Sequence, residues 1–196
     1  MNQTIRTFVC VEIPATVRDR IEQLQRQLAV LKADVGWTKK SNLHLTLKFL
    51  GHISAAQVES VCRIVQQAAS GSAFFDLQLN GTGSFPNQRN PRVLWIGPAE
   101  VPQVFKELYD SIDIGLSSVG FPRESRPFAP HLTLGRVKSN RNVASLVEAL
   151  MAAGFQSEPF GIREVVVMKS QLKTSGAIYS PIKIFPLKAT QDEAFP

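Results

Sequence analysis

Two stretches of this chain open with the same four residues, His44-Leu45-Thr46-Leu47 and His131-Leu132-Thr133-Leu134. They start 87 positions apart (131 minus 44) and hold two of only three histidines in 196 residues. One His-x-Thr is weak evidence of anything. Two identical copies in separate halves are better explained by an internal repeat. In a strand, residues i and i+2 point to the same face. His44 and Thr46 therefore face together, as do His131 and Thr133, while the alternating leucines face a core. If a pseudo-twofold axis relates the halves, both His–Thr pairs line one cleft.

The surrounding pattern mixes strands with helices. Residues 5–13 read as a buried strand ended by Ile13-Pro14. Val17, Ile21, Leu24, Leu28 and Leu31 follow at helical spacing, and Gly36 reads as the stop signal. A short strand runs from His44 to Leu50. Ser54-Ala55-Ala56-Gln57 fits a capping box, and Val58, Val61, Cys62 and Val65 give the next helix its apolar face. Phe75, Leu77 and Leu79 alternate with polar residues, as in a half-exposed strand. Gly81 to Pro91, rich in Gly, Pro and Asn, reads as loop. Arg92–Ile96 resumes as strand. Phe105, Leu108, Ile112 and Leu116 mark a third helix. A loop over 120–130 leads to a strand at 131–137, and Val143, Leu146, Val147 and Leu150 mark a fourth helix. Strands near 162–172 and 178–187 close a single bilobal domain spanning 1–188, with 189–196 expected as a frayed tail. The expected class is α+β, with two mainly antiparallel sheets and helices on their outer faces. Short loops between strands disfavour a parallel doubly wound sheet.

Composition sets the partner class. Lys and Arg outnumber Asp and Glu by 22 to 16, and the pI is near 9.6. This balance suits an anionic partner such as RNA or a nucleotide. Cys10 and Cys62 lie in apolar surroundings and read as small buried hydrophobes rather than a disulfide or zinc set. The N-terminus lacks a signal-peptide core, and no apolar run approaches the roughly 20 residues of a membrane span. A cytoplasmic monomer with no membrane association is the expectation.

Paired histidines and threonines suit phosphodiester hydrolysis. Imidazole titrates near neutral pH, so one ring can accept a proton from water while the other donates to the departing ribose oxygen. Thr46 and Thr133 can donate hydrogen bonds to the non-bridging phosphate oxygens as charge develops. Arg136, at the end of the second strand, offers charge-assisted bonds to the same group; the alternative is a solvated strand end. A cyclic phosphate is strained, so water can open it without a metal, and no acidic cluster has metal-site spacing. No cofactor is implied. His52 has no counterpart in the other half and reads as a surface histidine. Phe8, Trp37 and Phe128 could stack a base, though core packing is the simpler use of each. Gly81-Thr82-Gly83 is too short for a dinucleotide fingerprint, and no ATP phosphate loop is present.

The chain resembles the RNA 2′,3′-cyclic phosphodiesterases of the two-histidine phosphoesterase superfamily, also called 2′-5′ RNA ligases. The matching segments span almost the whole chain: Arg6 to Pro14, Val35-Gly36-Trp37, Asn42 to Gly51, Pro91 to Gly97, Pro130 to Arg136, and Lys169 through Gly176 and Tyr179. The resemblance implies a bilobal fold with a central cleft. It also implies metal-independent hydrolysis of RNA 2′,3′-cyclic phosphate ends, or of cyclic nucleotides, to 2′-phosphates. By that analogy His44 is the proton donor and His131 the proton acceptor; identical letters at the two sites leave the assignment open from sequence alone. Two alternatives share the cleft: 2′-5′ ligation of RNA, and a module that binds nucleotide or RNA without turnover.

Overall fold

A computed structural model describes residues 4–174 and 176–189. The chain runs β1 (Ile5–Glu12), α1 (Ala15–Ala29), β2 (Val35–Trp37), a 3-10 turn (Lys40–Asn42), β3 (His44–Ile53) and α2 (Ala55–Gly71). It continues through β4 (Phe75–Leu77), β5 (Gly81–Phe85), β6 (Val93–Gly97), α3 (Gln103–Ser117), β7 (Leu132–Val137) and α4 (Val143–Ala152). The last strands are β8 (Phe160–Ile162), β9 (Glu164–Lys173) and β10 (Gly176–Pro186). The tail expected over 189–196 lies, after Ala189, outside the described residues.

Two four-stranded antiparallel sheets form the frame, in the orders β10-β9-β1-β3 and β2-β7-β6-β5. β4 and β8 make a separate two-stranded ribbon. The unit β1-α1-β3-α2 recurs as β6-α3-β7-α4. Each sheet takes one antiparallel pair from one half and borrows two strands from the other: β9 and β10 add to the β1 side of the β1-β3 pair, which leaves β3 at the edge, whereas β2 and β5 flank the β6-β7 pair on its two sides. The halves are thus interleaved. One continuous apolar cluster runs through both of these sheets and α1 to α4, from Val9 and Leu45 to Leu94 and Leu132.

Local sequence explains the helix faces. The residues expected to point inward from α1, α3 and α4 are buried, apart from half-buried Leu31 beyond the end of α1. The Ser54 capping box forms with both bonds: the Ser54 hydroxyl accepts from the Gln57 N–H, and the Ser54 N–H donates to the Gln57 side chain. Cys10 is fully buried, whereas Cys62 is only half-buried.

Three segments depart from the sequence reading. Gly81 to Pro91 is not loop throughout, because Gly81–Phe85 pairs with β6 as a sheet-edge strand. Gly83 serves packing rather than turning: a Cβ there would lie 2.4 Å from the indole of Trp95 across the ladder. Gly36 does not stop a helix. α1 has already ended at Ala29, Lys32 takes a left-handed conformation (φ 53°), and Gly36 sits within β2 opposite Arg136. Finally, β3 extends past Leu50 to Ile53, so exposed His52 lies within a strand, opposite Arg6.

Candidate active site

His44 and Thr46 stand together on β3. Nδ1 of His44 lies 2.7 Å from the carbonyl of Asn42, and Nε2 lies 3.0 Å from Thr46 Oγ1. A carbonyl only accepts, so Nδ1 carries the proton, and Nε2 of the neutral ring is the free base, taking the threonine hydroxyl as donor. The ring rests on Phe8, stacked at a centroid distance of 4.8 Å, and meets the edge of Tyr179 at 5.3 Å. Burial in this aromatic cradle pushes the His44 pKa below its usual value; the Asn42 carbonyl offsets only part of that.

His131 repeats the arrangement. Its Nδ1 lies 2.9 Å from the carbonyl of Ala129, again two residues upstream, and Phe85 meets its ring edge-on at 4.8 Å. Phe85 stacks in turn on Trp95 at 5.4 Å. Gly97 gives the approach to this histidine its close packing, since a Cβ there would lie 2.6 Å from the carbonyl of Pro130.

A bulge after each His-x-Thr sets which side chains share the pairs' face. In β3 the register steps from Cys10↔Thr46 to Val9↔Lys48, leaving Leu47 extra. In β7 it steps from Trp95↔Thr133 to Leu94↔Gly135, leaving Leu134 extra. Directly paired residues present their side chains on one face, and a bulge inverts the alternation beyond it. Arg136, opposite Val93, is thereby brought to the face of Thr133 and Trp95, where simple alternation would have turned it away. Lys48, opposite Val9, is turned toward the core, and Phe49, opposite Phe8, returns to the His44 face, 69% exposed. Phe49 and Arg136 both stand five residues after their histidines. β3 and β7 lie against one another, so the two motif strands are neighbours across the lobes.

The sequence-predicted residues therefore fall into two local groups, His44 with Thr46 and His131 with Thr133 and Arg136. Phe8, 3% exposed, is core, as are Trp37 and Phe128 in part; Phe128 stacks on Tyr109 at 3.9 Å. Sequence reasoning missed Tyr179 and Phe85 as ring neighbours of the histidines, and Phe49 on the His44 face. Only the equal offset of Phe49 and Arg136 could have signalled the last. Among the described residues no three or more His, Cys, Asp or Glu side chains gather to hold a metal ion, and no helix is long and apolar enough to cross a membrane.

The model of the LigT-like phosphoesterase family matches this chain twice in tandem, over residues 11–95 and 96–179. The RNA 2′,3′-cyclic phosphodiesterase of Methanothermobacter thermautotrophicus is 34% identical over 186 residues, covering 93% of this chain and 99% of the relative. That of Archaeoglobus fulgidus is 33% identical, covering 92% and 99%. Among solved structures, TT0787 of Thermus thermophilus superposes with a TM-score of 0.79 at 24% identity, covering 94% of this chain and 99% of that one. LigT of E. coli complexed with 3′-AMP superposes with a TM-score of 0.76 at 22% identity, covering 95% and 99%. The boundary between the two tandem matches falls inside β6, the strand that opens the second β-α-β-α unit. With both His-x-Thr strands in equivalent places of a duplicated fold, the chain belongs to the LigT-like phosphoesterase family.

Proposed function

We propose that this protein hydrolyses RNA 2′,3′-cyclic phosphate ends to 2′-phosphomonoesters by acid–base catalysis between two histidines, without a metal. The observation that carries this reading is the matched pinning of both rings. Each Nδ1 is held by a carbonyl two residues upstream, which dedicates Nε2 to proton transfer. The relatives named above as RNA 2′,3′-cyclic phosphodiesterases support the substrate class.

Water attacks phosphorus as the P–O3′ bond breaks. His131 accepts the water proton at Nε2, and His44 donates its Nε2 proton to the leaving O3′. The products are a 2′-phosphate and a free 3′-hydroxyl. Thr46, Thr133 and Arg136 donate hydrogen bonds to the non-bridging oxygens, where negative charge grows. Burial disfavours the imidazolium of His44. The phosphodiester's own negative charge, arriving beside it, favours the imidazolium, so the acid is charged when substrate binds.

Turnover of a nucleoside 2′,3′-cyclic phosphate, with the product resolved as 2′- or 3′-phosphate, tests the assignment. A 2′-phosphate product, unaffected by chelator and lost in His44→Ala and His131→Ala, is expected. Nucleotide binding without turnover, or undiminished turnover in either variant, would overturn it.

A further inference from the structure

The helices α1 and α3, which link β1 toward β3 and β6 to β7, carry a buried polar residue at the same place. α1 and α3 are each 15 residues long and each follows a proline cap, Pro14 or Pro102. Their inward faces correspond at a constant offset of 88: Ile21 with Tyr109, Leu24 with Ile112, Leu28 with Leu116 (116 minus 28). The same offset relates Gln25, 6% exposed, to Asp113, 2% exposed. A polar group at such a position is retained in an apolar face only with partners, and both have them in the opposite lobe.

Gln25 belongs to the first half, yet its Nε2 donates to the Leu134 carbonyl at 2.8 Å and to the Thr38 carbonyl at 3.0 Å. Leu134 is the extra residue of the bulge that follows His131 and Thr133. Asp113 belongs to the second half, yet its Oδ1 accepts from Lys48 Nζ at 2.5 Å. Lys48 is the residue turned inward by the bulge that follows His44 and Thr46. Arg123 donates to the other carboxylate oxygen at 3.1 Å, and Lys48 also reaches the Pro122 carbonyl at 2.6 Å. The chemistry differs, amide to carbonyl against carboxylate to ammonium, but the placement is the same.

We propose that Gln25 and Asp113 are a symmetry-matched pair of positioning residues, each holding from its own helix the bulge that aims the other lobe's His-x-Thr strand. They touch no substrate. They fix where the alternation inverts, and so fix the facing of His44 with Thr46 and of His131 with Thr133 and Arg136. The inference rests on the assignment of these histidines as the acid–base pair, but the brace itself can be read without turnover.

The test uses the three histidines as reporters. Gln25→Met removes the amide while Leu134 keeps its bond from the Thr38 N–H, so the fold has an alternative partner for that carbonyl. Asp113→Leu alone would strand a buried lysine, and the double variant Lys48→Met/Asp113→Leu avoids this with an apolar pair. Ring resonances at fixed pH are recorded by NMR on folded protein. Gln25→Met is expected to move His131, and the double variant to move His44, with His52 unmoved in both. In each, kcat on a nucleoside 2′,3′-cyclic phosphate falls about 10-fold or more, as misplacement of reacting groups does, while KM stays within about twofold. Unmoved rings, or a double variant that is fully active, would reduce both residues to stability alone and overturn the proposal. Absence of turnover in the unmodified protein would refute the assigned reaction instead, leaving the resonance result to decide the brace. If Gln25→Met does not fold, Gln25→Asn, which keeps the amide but withdraws its reach, is read the same way.

Discussion

The carbonyl of Asn42 accepts the Nδ1 proton of His44 at 2.7 Å, and through its side chain the same asparagine donates to the Ala177 carbonyl at 2.8 Å. Asn42 thus fixes the tautomer of the ring and ties the start of β3 to β10, the far edge strand of the same sheet. Replacing it by alanine keeps the carbonyl and removes the tether. Asn42→Ala is expected to lower kcat about 10-fold with the His44 tautomer retained, because the ring keeps its proton partner but loses a fixed position. Kinetics together with the ring 15N shifts check both halves of that statement.

The two histidines act as a unit, so their losses do not add. His44→Ala and His131→Ala are each expected to lower kcat by about 10²–10⁴-fold, the usual worth of one positioned proton transfer. The double variant should lose little beyond the worse single one. Steady-state assays on one cyclic nucleotide give all three values. A double variant whose loss is the product of the singles would mean that the two rings contribute independently rather than as a coupled unit.

The Thr46 hydroxyl is bonded to His44 Nε2, whereas Thr133 shares a face with Trp95 and Arg136. Both hydroxyls are assigned to the developing phosphate charge. Thr46→Val and Thr133→Val are each expected to cost about 10²-fold in kcat, the order seen when one such donor is removed. Serine at either place should recover most of it. Failure of serine to rescue would show that the methyl group, not the hydroxyl, is what matters.

Burial of His44 makes stability depend on pH in a definite sense. Its folded pKa is lowered from 6.5, so the unfolded chain binds that proton more readily. Stability from this group is full above 6.5 and is lost as pH falls below 6.5 toward the lowered folded value, where the loss levels off. His44→Gln removes this contribution. Urea denaturation of both proteins across that window is expected to show a steeper acid decline in the unmodified chain, and parallel curves would contradict it.

How far the sequence carried depends on what each residue answers to. The leucines of the two motifs and the faces of α1, α3 and α4 follow from periodicity, because burial imposes it. The Ser54 box is purely local and was legible in four letters. β5 was not, because glycine is both a turn signal and the residue that lets an indole lie flat on a neighbouring strand; Gly83 answers to Trp95, 12 residues away in sequence (95 minus 83). The bulges at Leu47 and Leu134 leave no local mark either, although they decide that Arg136 faces as Thr133 does and Lys48 does not face as Thr46 does. Such facts depend on cross-strand register, which a single chain read in one dimension does not display.

Gly97 makes a sharp test of how tightly the second histidine is set. A Cβ there would lie 2.6 Å from the Pro130 carbonyl, a backbone atom that cannot rotate away, directly before His131. Gly97→Ala is expected to destabilise the fold by about 1–3 kcal/mol, as overpacking does, and to lower kcat more than it raises KM. Thermal melts and kinetics on the same sample separate the two effects.

Arg136 tests the consequence of the bulge in β7. Were the strand regular, its side chain would leave the face of His131, and its loss would be silent. With the bulge it shares that face and is exposed, ready for an anionic ligand. Arg136→Met is expected to lower kcat/KM about 10- to 100-fold, corresponding to the roughly 1.5–3 kcal/mol of a hydrogen bond to a charged group. Arg136→Lys should restore only part of this, since an ammonium cannot make the two parallel bonds of a guanidinium. Because the contact is exposed, the deficit of Arg136→Met should shrink as salt screens the interaction in the unmodified protein. A deficit that is constant from low to high ionic strength would assign Arg136 to structure, and the face reading of β7 beyond Leu134 would fall with it.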